Sequence, residues 1–251
     1  MNIVILGGSG LIGKQLAVRL QQAGHTVTPA SPSTGVDAVT GEGLDKVLAG
    51  ADVVVDVTNS PSFEDEAVMH FFRASTQNLL AASARAGLGH YVALSVVGSE
   101  RVPDSGYFRA KIAQEALIKA GPVPYTIVRA TQFFEFLPAI AHANTEGRTV
   151  RLPSAPLQPM ASADVAAELA SVAQRAPLNG TCEVAGPKAM ALDALIRQLF
   201  EARRDEREVV SDPAARYFGS TLDANSLVPG HGATIVPTSL AQWLASAPAA
   251  H

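Results

Sequence analysis

The residues of this 251-residue chain best suited to chemistry are a tyrosine and a lysine four positions apart, Tyr107 and Lys111. Side chains at this spacing share one face of a helix, so the ammonium group can lie near the phenol. A free phenol has a pKa of about 10, and each unit of lowering needs about 1.4 kcal/mol of preference for the phenolate. Because a nearby cation supplies such a preference, the pair predicts acid–base chemistry.

A third candidate is Ser95, which ends an apolar strand that begins at His90 and precedes the helix carrying Tyr107. In an open α/β sheet, ligands bind beyond the carboxyl ends of the strands. We therefore expect the Ser95 hydroxyl on the ligand side of the sheet, together with Tyr107 and within hydrogen-bond reach of it.

The elements that must position these groups are organised around a glycine turn near the start of the chain. An apolar strand from Met1 leads into Gly7, Gly10 and Gly13, and a helix follows. Gly7 can take the positive φ of a tight turn, Gly10 leaves room for a pyrophosphate, and Gly13 lets the helix approach the strand. The helix start at Leu11, Ile12 and Gly13 offers unpaired N–H groups and a favourable dipole to an anion. The pattern predicts a dinucleotide site.

The choice between the two nicotinamide dinucleotides depends on the end of the second strand. An acidic residue about 20 residues past the glycines binds the ribose 2′-hydroxyl in NAD enzymes. Residues 30–34 contain Ser31 and other hydroxyls but no carboxylate, and Lys14 could reach a 2′-phosphate. This favours NADP, with NAD possible. Thr58 and Asn59, after the strand at 51–57, could contact the cofactor ribose or cap the next helix.

The chain resembles the short-chain dehydrogenase/reductase superfamily, in its glycine spacing and in the set formed by Ser95, Tyr107 and Lys111. In that family the tyrosine exchanges a proton with the substrate oxygen, the serine binds that oxygen, and the lysine holds the ribose and lowers the tyrosine pKa. The segment 121–136 and its Phe pair resemble the atypical, NmrA-like branch. By that resemblance, residues 130–133, including Ala130 and Thr131, would border the nicotinamide and the substrate.

The expected fold class is α/β, a doubly wound parallel sheet of the Rossmann type with a small C-terminal substrate lobe. Residues 1–251 are expected to form a single NAD(P)-binding domain, with the chain from about residue 148 contributing the lobe. Further predictions are a short strand at 36–40, a helix at 64–86 ending at Gly87, and a capped helix near 238–244. Apolar residues on several faces of the 64–86 helix suggest a homodimer.

Composition limits the partners. A net charge of −4 without a dense basic cluster argues against nucleic acid or an anionic membrane surface. No apolar run is long enough for a membrane span and no charged leader is visible, so the expected location is cytoplasmic. The single cysteine, Cys182, excludes an internal disulfide and is expected to be a small buried thiol. The scattered histidines suggest no metal site.

The leading functional prediction is an NAD(P)H-dependent reductase of a small carbonyl or quinone-like substrate. The alternative is a non-catalytic, NAD(P)-sensing regulator, because the NmrA-like branch includes such proteins. The presence of Ser95, Tyr107 and Lys111 together favours the enzyme. A sugar-nucleotide epimerase would need a larger lid than the tail provides.

Overall fold

The strands of the chain alternate with helices along most of its length. The computed structural model describes residues 1–246. Its strands are β1 (Asn2–Leu6), β2 (Thr26–Ala30), β3 (Val53–Asp56), β4 (His90–Val96), β5 (Tyr125–Ala130), β6 (Thr145–Glu146), β7 (Thr149–Leu152), β8 (Pro156–Leu157), β9 (Gly180–Ala185), β10 (Met190–Ala191), β11 (Glu208–Ser211) and β12 (Thr234–Ile235).

The helices connect these strands and cover the sheet. They are α1 (Leu11–Gln22), α2 (Leu44–Leu48), α3 (Asp65–Ala86), α4 (Gly106–Ala120), α5 (Leu137–Ala143), α6 (Ser162–Ala173), α7 (Leu192–Arg203) and α8 (Leu240–Ser246). Short 3₁₀ turns lie at Pro32–Thr34, Ser99–Arg101 and Phe134–Phe136.

Seven strands form one sheet in the order β12-β9-β5-β4-β3-β1-β2. Strand β1 pairs in parallel with β2 and β3, and β3 pairs in parallel with β4. The side chains of β1, β3 and β4 are mostly buried on both faces, as expected where helices cover a parallel sheet on both sides, whereas those of the edge strand β2 are mostly exposed. The predicted α/β fold of the Rossmann type is confirmed. The carboxyl ends of β1, β3 and β4 lie at one edge, which is where ligands bind in such sheets.

The chain divides into two compact units built from interleaved segments. The first unit consists of Met1–Val96, Gly106–Arg129 and Val165–Cys182, and the second of Val97–Ser105, Ala130–Asp164 and the chain from Glu183 onward. The second unit contains the small sheet β11-β7-β6 and the pair β10-β8. That the chain from about residue 148 forms a substrate lobe stays a prediction.

Local sequence signals located several helix ends correctly. Helix α3 ends at Gly87, whose φ of 67° is the left-handed conformation expected of a C-cap glycine. Helix α8 is preceded by a reciprocal cap, in which Ser239 N–H donates to Gln242 Oε1 at 2.8 Å and Gln242 N–H donates to Ser239 Oγ at 3.3 Å. These ends follow from contacts within a few residues.

Two local expectations were wrong. Residues 36–40 form turns rather than a strand, because the Asp37 carboxylate accepts hydrogen bonds from the N–H groups of Val39 (2.7 Å) and Thr40 (3.3 Å). This side-chain bonding competes with a strand ladder. Cys182 lies in β9 but is only partly buried, because burial in this strand increases from the exposed Thr181 to the buried Val184 and Ala185.

Helix α3 packs on α4 through an apolar cluster of Val68, Phe72 and Ala110, which are buried. Met69, Phe71 and Tyr107 pack against this cluster. Part of the apolar surface of α3 is therefore covered within the chain, and the homodimer stays a prediction. No helix among residues 1–246 is long and apolar enough to cross a bilayer, and the same residues contain no His, Cys, Asp and Glu cluster suited to a metal ion.

The buried histidine of β4 predicts a pH dependence of stability. His90 is 3% exposed and its Nε2 is hydrogen-bonded to Thr126 Oγ1 at 2.9 Å. Burial lowers the pKa of His90 from 6.5 to about 4, against an opposing backbone contact from Arg175. The folded protein therefore resists protonation between these values while the unfolded chain accepts it, so stability falls as pH falls from 6.5 toward 4.

We expect the free energy of unfolding to drop by about 2 kcal/mol more between pH 7 and pH 5 in the wild type than in His90→Gln, which cannot titrate. Urea denaturation of both proteins at the two pH values measures this. An equal drop in the two proteins would contradict the role of His90.

Candidate cofactor and catalytic site

The inner side of the glycine turn has no room for side chains. Gly7 has a φ of 81°, and a Cβ added to it would lie 2.8 Å from the carbonyl oxygen of Val57. A Cβ on Gly13 would lie 2.3 Å from the carbonyl oxygen of Gly7. The N–H groups of Gly7 and Gly8 donate to Ala30 O at the end of β2. Gly7, Gly8 and Gly13 therefore let β1, β2 and α1 meet closely at the ligand edge of the sheet.

Gly10 differs because its side-chain direction is open. A Cβ on Gly10 would meet only Gly7 O, at 3.2 Å, and its backbone is extended, with φ −79° and ψ 178°. The N–H groups of Leu11, Ile12 and Gly13 follow, at a helix end with no acidic residue in the first turn. Helix geometry leaves these donors without intrahelical partners, so they can receive a phosphate. The residues present fit the pyrophosphate of a dinucleotide.

The segment after β2 contains hydroxyls in place of an acid. Ser31 is buried, its N–H donates to Thr34 Oγ1 at 2.9 Å, and its hydroxyl is 2.8 Å from that of Ser33. Lys14 is exposed on the first turns of α1. No carboxylate in this segment would repel a 2′-phosphate, as the sequence analysis noted.

A buried carboxylate at the end of β3 was missed by the sequence analysis. Asp56 is 2% exposed and accepts four hydrogen bonds: from Thr58 N–H (3.0 Å), Thr58 Oγ1 (2.6 Å), Tyr91 OH (2.9 Å) and Gln114 Nε2 (3.1 Å). The Thr58 hydroxyl is thus used within the protein, whereas Asn59 is exposed. The available signal was an acid inside an otherwise apolar strand, since a buried carboxylate needs partners.

Lys111 is buried at the carboxyl end of β4. Its ammonium group donates to Leu94 O at 2.9 Å and to Gln114 Oε1, and lies 4.3 Å from the centre of the Phe72 ring. Burial lowers the pKa of Lys111 to about 8, against the attraction of Asp56 and Glu115. Below that pH the side chain is a cation held beside the residue that precedes Ser95.

Tyr107 is surrounded by aromatic rings. Its ring centre lies 5.7 Å from that of Phe63, 5.9 Å from that of Phe72 and 6.0 Å from that of Phe108. Burial raises the pKa of Tyr107 to about 12. The expected lowering of the Tyr107 pKa by Lys111 is therefore wrong, because the shift comes from burial and runs in the opposite direction. At neutral pH the Tyr107 phenol is protonated.

The Ser95 hydroxyl does not donate a hydrogen bond to Tyr107. It donates to Glu115 Oε1 at 2.8 Å, and among residues 1–246 no hydrogen bond joins Ser95 to Tyr107. Glu115 also binds Arg129 through two contacts of 2.8 Å and Lys119 at 3.1 Å. Burial works to raise the pKa of Glu115, but hydrogen bonds from Arg129, Ser95 and Lys119 hold it below its usual value.

Ala130 and Thr131 belong to the second unit. Ala130 is buried, and its carbonyl accepts from Val97 N–H at 2.9 Å. Thr131 Oγ1 donates to Gln158 O at 2.6 Å, and its N–H donates to Val184 O at 3.1 Å. Both residues have defined partners within that unit, and their contact with a nicotinamide ring stays a prediction.

The fold and the glycine turn define a dinucleotide-binding protein of the Rossmann type. A family model described as NAD(P)H-binding matches residues 7–176, so the chain belongs to this NAD(P)H-binding family. The predicted nicotinamide cofactor is thereby confirmed at the level of NAD(P)H. The likeness to the NmrA-like branch stays a prediction.

Two curated proteins are similar over part of their length. The (4-alkanoyl-5-oxo-2,5-dihydrofuran-3-yl)methyl phosphate reductase of Streptomyces griseus subsp. griseus is 32% identical over 145 residues, which are 52% of this chain and 48% of the relative. The photosystem II assembly factor Ycf39 of Synechocystis sp. is 24% identical over 151 residues, 55% of this chain and 46% of the relative. The chain spans about half the length of the curated relatives it matches.

Solved structures share the fold at low identity. A dTDP-4-dehydrorhamnose reductase from Clostridium acetobutylicum has a TM-score of 0.74 at 18% identity, covering 90% of this chain and 89% of its own. A short-chain dehydrogenase/reductase superfamily protein from Agrobacterium tumefaciens, solved with bound NAD, has a TM-score of 0.74 at 16% identity, covering 98% and 95%. These likenesses agree with the predicted superfamily fold.

The open side of Gly10 predicts a variant that folds without binding. In Gly10→Val, the added Cβ meets only one backbone oxygen, that of Gly7 at 3.2 Å, and the side chain is expected to fill the space predicted for the pyrophosphate. We expect NADPH binding to be lost in calorimetry, with a circular dichroism spectrum and melting temperature close to those of the wild type.

Gly13→Val is the contrasting variant, because its Cβ would overlap the Gly7 backbone. It should lower the melting temperature strongly or prevent folding. Wild-type affinity in a folded Gly10→Val protein would show that the phosphates bind elsewhere.

Proposed function

We propose that this protein is an NAD(P)H-dependent reductase of a small, fairly apolar carbonyl or quinone-like compound, with Tyr107 as proton donor. The arrangement on α4 supports this proposal most directly, because a buried cation, Lys111, lies one turn from the partly buried phenol of Tyr107, in the same unit as the glycine turn. A curated relative named as a reductase supports the reaction class.

The protonation state of Tyr107 agrees with its proposed role as proton donor. Reduction of a carbonyl places negative charge on the substrate oxygen, and a protonated phenol can donate to it. With a pKa of about 12, Tyr107 keeps its proton throughout the neutral range.

The chain supplies groups for each part of the cofactor. Gly10 and the start of α1 would hold the pyrophosphate, Ser31 and Lys14 would face the adenosine ribose, and Lys111 would hold a ribose hydroxyl. When bound, the cofactor supplies the hydride. The aromatic rings of Phe63 and Phe72 next to Tyr107 favour an apolar substrate.

An NAD(P)-sensing regulator is the second candidate. The Ser95 proton is directed to Glu115 rather than toward a substrate, so this serine can bind a carbonyl oxygen only after its hydroxyl rotates away. One curated relative is named as an assembly factor rather than an enzyme. In this case the dinucleotide would bind without turnover.

The cofactor preference is tested with a pair of lysine variants. Wild-type protein should bind NADPH more tightly than NADH in calorimetry, because residues 30–34 hold no acid and Lys14 can pair with a 2′-phosphate. Lys14→Ala should weaken NADPH binding by about tenfold, a loss of about 1.4 kcal/mol, and leave NADH unchanged. Lys46→Ala, on the exposed surface of α2, should change neither. Tighter binding of NADH by the wild type would contradict the preference.

Turnover is tested with Tyr107→Phe, which keeps the ring and removes the proton donor. NADPH affinity should stay within about twofold of wild type, while NADPH oxidation over a panel of quinones, aldehydes and ketones should fall ~10²–10⁴-fold. Tyr125→Phe, on β5, is the matched control and should retain activity. Undiminished turnover by Tyr107→Phe would exclude the assigned role, and cofactor binding without consumption by the wild type would favour the sensor.

A further inference from the structure

A series of hydrogen-bonded polar side chains, three of them buried, links the loop after β3 to Lys111 on α4. It consists of Thr58, Asp56, Gln114 and Lys111, all in the first unit. Asp56, Gln114 and Lys111 are each no more than 2% exposed. We propose that Asp56 and Gln114 are positioning residues. They hold the Lys111 ammonium group and the loop after β3 in the positions, relative to the glycine turn, that the cofactor needs. The inference rests on the proposed contact between Lys111 and a cofactor ribose.

The orientation of the Gln114 amide follows from its two partners. Its Nε2 donates to Asp56 Oδ2 at 3.1 Å, and its Oε1 accepts from Lys111. A carboxylate can only accept and an ammonium can only donate, so the amide has one arrangement that satisfies both neighbours. Asp56 thereby fixes Gln114, and Gln114 fixes Lys111.

The Lys111 ammonium keeps one donor for a ligand. Of its three N–H groups, one binds Leu94 O and one binds Gln114 Oε1. The Phe72 ring, 4.3 Å away, limits movement on another side. The flexible lysine side chain is therefore restrained before a cofactor arrives, which reduces the entropy lost on binding.

The Thr58 end of this hydrogen-bonded series lies next to the glycine turn. Asp56 accepts from both the N–H and the hydroxyl of Thr58, which fixes the first residues after β3. The carbonyl oxygen of the neighbouring Val57 lies only 2.8 Å from the position that a Cβ on Gly7 would occupy. The Asp56 carboxylate thus fixes the loop after β3 beside the glycine turn. Through Gln114, it also fixes the position of the Lys111 ammonium group.

Tyr91 provides a control within the same cluster. It is fully buried and donates to Asp56 Oδ2 at 2.9 Å, but it makes no hydrogen bond to Lys111 among the described residues. Tyr91→Phe removes a hydrogen bond of the cluster and leaves the Gln114–Lys111 contact in place. It measures what the loss of a buried hydrogen bond does by itself.

The test is a double-mutant cycle on cofactor affinity, using calorimetry with NADPH and with adenosine 2′,5′-bisphosphate, a fragment that lacks the pyrophosphate and the nicotinamide riboside. Gln114→Met keeps the side-chain volume and removes both polar contacts. We expect it to weaken NADPH binding about tenfold and to leave fragment binding within twofold. In a Lys111→Met background it should have no further effect. Tyr91→Phe should change neither affinity by more than twofold.

The outcomes separate the possible failures. If the wild-type protein does not bind NADPH, the proposed cofactor site is wrong, and so is the positioning role proposed for Asp56 and Gln114. If Lys111→Met binds NADPH as tightly as wild type, Lys111 does not hold the cofactor and the inference is overturned. If Lys111→Met weakens NADPH binding but Gln114→Met does not, Gln114 does not position Lys111. The same conclusion follows if Gln114→Met weakens binding equally in the wild-type and Lys111→Met backgrounds. Should Gln114→Met fail to fold, Gln114→Asn, which shortens the side chain, replaces it with the same expected results.

Discussion

The close approach of backbone to backbone at the glycine turn is the constraint on which the rest of the site depends. A side chain on Gly7 would overlap the carbonyl group of Val57, and one on Gly13 would overlap the turn itself, at 2.8 and 2.3 Å. This approach brings the ends of β1 and β3 and the start of α1 to one place. Gly10 alone has an open outer side, so the turn offers one direction from which a phosphate can reach the helix N–H groups.

Burial sets the charges around this turn. Lys111 remains a cation near neutrality although burial lowers its pKa to about 8, because Asp56 and Glu115 attract the charged form. Tyr107 has no such partner, and burial raises its pKa to about 12. The two side chains are neighbours on α4, and in the proposed reductase Lys111 would hold a ligand by its charge while Tyr107 would donate a proton.

Features set by neighbouring residues in the sequence could be predicted, and features set across the fold could not. The glycine positions, the end of α3 at Gly87 and the cap at Ser239 depend on contacts within a few residues. The partner of Ser95 is Glu115, twenty positions away on another element, so spacing could not reveal that its proton is already bound. The rings of Phe63 and Phe72, which pack against Tyr107, come from α3 and the segment before it. The sequence therefore located the candidate residues without giving the direction of their hydroxyl groups.

The central claim is that a dinucleotide binds with its phosphates at the start of α1. Amide-resolved NMR of ¹⁵N-labelled protein during titration with NADPH tests it most directly. If the phosphates bind there, the backbone amides of residues 9–13 should show the largest chemical-shift changes, followed by those of Thr58 and Asn59. Saturable binding that leaves the amides of residues 9–13 unmoved would contradict it.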